Sequence, residues 1–216
     1  MTEPGAAPAA FGPALSRLFI VQFFSWSAMF ALWIYAVPIV AANVLHLPGA
    51  GPRGLQPAIV TVGLCFSAYA ALGTTGSLLL PRVIARFGHA RVHGLALLCG
   101  AAGLAIFGMA REAIALVPAV VAIGIGWAAI GSIPYAVLAG LVPPGRGAHF
   151  TRLFAFSTVI PQVATTIGLV MLADRFLAGK PERVMALAAV AMGLAGVLTL
   201  VWRRHFAPAD LVEAEW

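Results

Sequence analysis

Six apolar stretches constrain this chain more than any other feature, at roughly 17–42, 57–80, 92–110, 113–142, 153–173 and 183–202. A helix of about 20 apolar residues crosses a ~30 Å hydrocarbon core, so each stretch reads as one span. The fourth is longer than a membrane needs and is expected to protrude or tilt. Composition points the same way. The 216 residues are 62% hydrophobic and 9% charged, whereas a soluble domain carries about 25% charged residues. The expected class is an all-α integral membrane protein with six transmembrane helices. Residues 1–16, rich in Pro, Ala and Gly, lack the basic start of a signal peptide and read as a flexible leader. Residues 203–216 read as a short polar tail.

The net charge of +6 could suggest nucleic acid, but there is no soluble basic domain to bind it. Positive-inside bias explains the charge better. One side collects Arg17, Arg82, Arg86, Arg91, Arg146, Arg152, Arg203 and Arg204. The other collects Arg53, Arg111, Arg175, Lys180 and Arg183. The excess places both termini in the cytoplasm. Twelve arginines against one lysine, with much Ala and Gly, suit a GC-rich bacterial source and its cell (inner) membrane. Cys65 and Cys99 both fall inside spans, which argues against a disulfide framework.

The first span carries QFFSWSAMFALWIYAVP from Gln22 to Pro38. At 100° per residue, Gln22, Trp26, Met29 and Trp33 lie within about 60° of one another. An amide, two indoles and a thioether on one stripe exceed what lipid contact requires. Either they line a cavity or they pack against other helices. In the fourth span Trp127, Gly131, Pro134 and Tyr135 share a sector of about 100°. Pro134 removes a backbone donor and is expected to kink the helix, as are Pro38 and Pro161. The fifth span groups Thr158, Pro161, Gln162 and Thr165. In the second, Gly63, Ser67, Ala70 and Thr74 form a small-residue face suited to close helix packing. A short echo, Tyr35-Ala-Val and Tyr135-Ala-Val, each preceded by a tryptophan, suggests a 3+3 repeat of three-helix units, a known construction in transporters.

No Asp, Glu, Lys, Arg or His stands at the middle of a span, and the five histidines fall in loops or at span ends. An intramembrane hydrolase or zinc site would need a histidine at depth. No catalytic residue, metal or cofactor is therefore expected, and the chain does not read as an enzyme. Indole faces with amides and hydroxyls suit a small neutral solute such as a sugar, since the C–H faces of a pyranose lie on rings while its hydroxyls bond Gln and Thr. A charged solute would be left unpaired. The expected substrate-binding residues are Gln22, Trp26, Trp33, Trp127, Tyr135 and Gln162.

VQFFSWSAMFALWIY (21–35), GIGWAAIGSIPYAVLAGLVP (124–143) and VIPQ (159–162) resemble the C-terminal six helices of sucrose-transporter-like members of the major facilitator superfamily, which include glycoside–proton symporters. The resemblance covers nearly all of the chain after residue 16. It implies half of a twelve-helix fold, sugar bound between two six-helix halves, and proton symport. In RVIARFGHAR (82–91) the superfamily loop motif keeps Arg86 and Gly88, but Ala85 stands where an aspartate is usual. Gly145 and Ala155 replace the acidic residue and the asparagine of the loop into the fifth helix, so charge-network roles do not carry over.

One six-helix bundle offers half an alternating-access site. The partners expected are the lipid bilayer, a small neutral solute and a second six-helix half. The chain is a fragment, a separately encoded half or a homodimer. The rival function is a non-transporting six-helix module acting as an assembly or regulatory partner.

Overall fold

The computed structural model describes residues 13–47, 49, 51–141, 147–173 and 180–205. The leader before residue 13, the tail beyond 205 and the loop containing Gly145 and Arg146 lie outside the described residues. Among those described there are helices and turns and no strand. The long helices are α1 (Pro13–Ile39), α2 (Gln56–Phe87), α3 (His89–Met109), α4 (Leu116–Leu141), α5 (Gly147–Ala173) and α6 (Pro181–Val201). Five of them, α1 to α4 and α6, are long and apolar enough to cross a membrane, and α5 contains a shorter apolar core, Phe154–Leu169. The protein is a multi-pass membrane protein.

Local chemistry sets the boundaries. α1 and α6 begin on Pro13 and Pro181, and α2 has Pro57 in its first turn; there the missing N–H would lack an intrahelical partner anyway. Beyond Ile39, α1 widens into a π-helical turn, Val40–Val44, closed by the Leu45 N–H donating to the Val40 carbonyl at 2.9 Å. This widening begins two residues after Pro38. The longest helix is α2, with 32 residues, and not the fourth span. It runs on through Pro81 to Phe87, and Gly88 alone joins it to α3 with φ +80°. That left-handed conformation is open to glycine without a Cβ penalty. The loop expected over 81–93 is thus a one-residue joint flanked by helical Arg86 and Arg91.

The helices pack mainly across the two halves of the chain. α4 packs on α3 and α2, α1 packs on α6 and α5, α3 and α6 pack on each other, and α1 meets α4. Exchanging α1, α2, α3 for α4, α5, α6 leaves this set of neighbours unchanged. At the back, glycine notches let backbones touch. Gly100 and Gly126 face each other between α3 and α4, and Gly94 and Gly196 between α3 and α6. A Cβ on Gly103 would stand 2.8 Å from both the Ala119 carbonyl oxygen and the Ile123 nitrogen. Without a hydrophobic drive between helices in lipid, such close packing supplies much of the cohesion.

The packing face of α2 corrects the expectation. Ala58, Val62, Tyr69, Gly73 and Leu80 are its buried residues, while Gly63, Ser67 and Thr74 are exposed. Nothing lies within 4 Å of a Cβ built on Gly63. The turn of the helix follows from the partner: Gly73 receives the Trp127 ring, whose Cδ1 would lie 2.5 Å from a Cβ there. Thr74 instead donates its hydroxyl to the Ala70 carbonyl at 2.9 Å, satisfying itself on the exposed face.

Candidate functional site

Two groups of aromatic rings lie along the seam between α1 and α4. In the first, Trp127 of α4 meets Trp26 and Trp33 of α1, with centroids 5.7 and 5.9 Å apart, and Tyr69 of α2 at 5.9 Å. Trp26 and Trp33 are themselves 6.3 Å apart. Phe30 adds to the group at 5.0 Å from Trp33, and Phe66 at 5.4 Å from Tyr69. These contacts are edge-to-face, the arrangement that ring quadrupoles favour. The Trp33 Nε1–H donates to the Tyr69 hydroxyl at 2.8 Å, tying α1 to α2. In the second group Phe154 of α5 stands between Phe19 of α1 at 5.7 Å and Tyr135 of α4 at 5.1 Å.

Between the groups lies a buried polar side chain on α1 and an exposed glycine on α4. On α1, Gln22 follows Phe19 and precedes Trp26 by about one turn each. On α4, Gly131 is spaced likewise between Trp127 and Tyr135, which are about 12 Å apart along the axis. Nothing lies within 4 Å of a Cβ built on Gly131, so α4 presents bare backbone there. Gln22 is 1% exposed. Its Oε1 and the Trp26 Nε1 are buried without a hydrogen-bond partner among the described residues. Leaving such a group unmet costs about 1–3 kcal/mol. One is an acceptor and the other a donor, on neighbouring turns of one face. No Asp, Glu, Lys, Arg or His lies between Arg17 and His46, nor between Glu112 and Arg146, so the seam carries no formal charge.

The structure therefore brings Trp26, Trp33 and Trp127 together, with Gln22 in the adjoining layer. It does not bring Tyr135 or Gln162 to them. Tyr135 is 44% exposed and belongs to the second ring group. Gln162 is exposed on α5, and its described bond is a backbone one, the carbonyl accepting from the Thr166 hydroxyl at 2.8 Å. Pro161 is buried while Gln162 points outward, so the expected polar face of α5 divides between two environments. α4 and α5 continue through Pro134 and Pro161. Arg86 and Gly88 sit away from the seam, at the α2–α3 joint, where the Arg86 guanidinium lies 5.5 Å from the Phe87 ring.

Sequence reasoning passed over Tyr69, Phe30, Phe66 and Phe154. A tyrosine in mid-span was the available signal for Tyr69. His93 is a second difference: it stands near the start of α3, as a span-end residue should, yet it is buried with neither ring nitrogen partnered among the described residues. Among the described residues no group of three or more His, Cys, Asp or Glu is placed to hold a metal ion. Comparison of the chain with known protein families, characterised proteins and solved structures finds no match.

Proposed function

We propose that this chain forms one half of an alternating-access transporter for a small neutral solute, a sugar or glycoside, with the α1–α4 seam as its wall of the binding cavity. One observation carries the reading. On a seam without charge, Gln22 Oε1, an acceptor, and Trp26 Nε1, a donor, are buried without a partner among the described residues, with Gln22 between the Trp26–Trp33–Trp127 rings and the Phe19–Phe154–Tyr135 rings. A sugar hydroxyl donates to the first and accepts from the second, while the rings cover its C–H faces. A charged ligand has no counter-ion there. The neighbour exchange between α1–α3 and α4–α6 supports a 3+3 repeat, the construction of a major facilitator half. The motif resemblance supports the same fold, with proton coupling and both termini in the cytoplasm of a cell (inner) membrane. A second six-helix bundle, a separate chain or a second copy, supplies the opposing wall.

The edge-to-face packing of the rings on one another favours a second reading, a non-transporting module in which they serve as helix glue. Uptake of labelled disaccharide into vesicles holding this chain, alone and with any co-purifying six-helix partner, separates the two. Transport predicts time-dependent uptake that falls at least tenfold on Trp26→Ala. Absence of uptake under both conditions, with binding also absent, leaves the module.

A further inference from the structure

A sizeable groove among the described residues lies outside the seam. It measures about 520 Å³ between α2, α3 and α4, within the range of pockets that enclose drug-sized ligands. Its floor is made of small residues, with Ala128 3.5 Å from a Cβ built on Gly76. Its walls include Leu72 and Val83 of α2, Leu95 of α3 and Ile125 of α4, and Arg91 is its one charged lining residue. The walls are open to the outside: Leu95 is 61% and Ile125 47% exposed. In a bilayer that open side faces hydrocarbon, where water is excluded. An open groove with so apolar a lining suits a lipid chain.

Charge selects which lipid. The groove runs along α2 from Leu72 to Phe87, about 22 Å at 1.5 Å per residue, which is more than one leaflet of a ~30 Å core. It ends at the α2–α3 joint, where Arg82 and Arg86 close α2 and Arg91 opens α3. Neither α2 nor α3 contains an Asp or Glu, so no carboxylate on either helix neutralises the three guanidinium groups. Basic sites between transmembrane helices at the cytoplasmic level bind anionic headgroups.

We infer that this groove is a binding site for an anionic glycerophospholipid, with one acyl chain along Leu72–Phe87 and the phosphate at Arg91. The test uses the full chain in a neutral detergent, with retention of phosphatidylglycerol and phosphatidylcholine read by native mass spectrometry. Wild type retains phosphatidylglycerol in preference. Arg91→Gln reduces that preference about fivefold, the contribution of one arginine near a headgroup, and Arg91→Lys restores most of it. Gly76→Leu, which fills the floor, lowers retention of both lipids. Arg111→Gln, at the opposite end of α3, changes nothing and controls for net charge. Glycerol phosphate, a headgroup without chains, does not compete. Equal retention of both lipids by wild type, an unchanged preference in Arg91→Gln, or competition by glycerol phosphate would each overturn the assignment.

Discussion

The back of the bundle and its front seam are built on opposite principles. At the back, α3 meets α4 and α6 through glycine, with backbone against backbone at Gly100–Gly126 and Gly94–Gly196. No ligand has room to enter at these glycine crossings, and the one unmet polar side chain beside them among the described residues is His93, next to Gly94. At the front, α1 meets α4 through indoles, and the same seam holds an amide oxygen and an indole N–H with no partner among the described residues. A helix pair needing only cohesion would use the cheaper solution found at the back. At the front the unmet pair is an acceptor and a donor on one helix face, which supports the proposed role as a surface kept for another molecule.

If this contrast is right, substitutions should behave differently on the two sides. The largest effect belongs at the back. Gly103→Leu drives a side chain into the α4 backbone, which cannot rotate away, and should cost about 3 kcal/mol or more. Thermal unfolding in detergent would show it, and a stable, monodisperse Gly103→Leu protein would remove the close α3–α4 contact. Gly73→Ala on α2 meets chiefly the Trp127 ring, with the Gly124 carbonyl oxygen farther off at 3.4 Å. A ring can swing, so the expected loss is smaller, about 1–2 kcal/mol, accompanied by a shift in tryptophan emission. Stability loss without any spectral change would mean that the notch does not hold Trp127.

Trp33→Phe tests the bond across α1 and α2. It removes the donor to Tyr69 and should cost about 1 kcal/mol, most of it recovered in the Trp33→Phe/Tyr69→Phe pair. Additive losses in that cycle would show that the two side chains do not interact. Smallest of all, Ser67→Leu on the exposed face of α2 should stay within about 0.5 kcal/mol of wild type. A large loss there would restore the small-residue packing face expected from sequence.

That last case shows what the sequence withheld. Five of the six expected spans were legible from their apolar length, and the α1 stripe that meets Trp127 was legible because spacing at 100° per residue puts Trp26 and Trp33 on one side. For α2 the same method chose the wrong face. In a soluble helix hydropathy marks the buried side, but in lipid both sides are apolar, so Gly63, Ser67 and Thr74 carried no usable contrast with Tyr69 and Gly73. The decisive quantity was a shape match, the Gly73 notch to the Trp127 ring, and this is a property of two helices together. The neighbour of Tyr135 was not legible for a related reason: the ring that meets it, Phe154, comes from α5, whose direction of approach no periodicity encodes. The one-residue α2–α3 joint was hidden by Pro81, which normally announces a helix end.

Gln22 Oε1, buried without a partner among the described residues, is proposed to be kept so for a ligand and not for the fold. Gln22→Leu separates these roles, because it removes a buried acceptor without a partner and keeps the apolar volume. Equilibrium binding of labelled disaccharide to wild type and Gln22→Leu in vesicles, with their unfolding midpoints measured alongside, is the most direct test. The account predicts that Gln22→Leu is as stable as wild type or more so, by about 1 kcal/mol, and loses at least tenfold in disaccharide binding. A variant that is destabilised, or that binds disaccharide as well as wild type does, would contradict it.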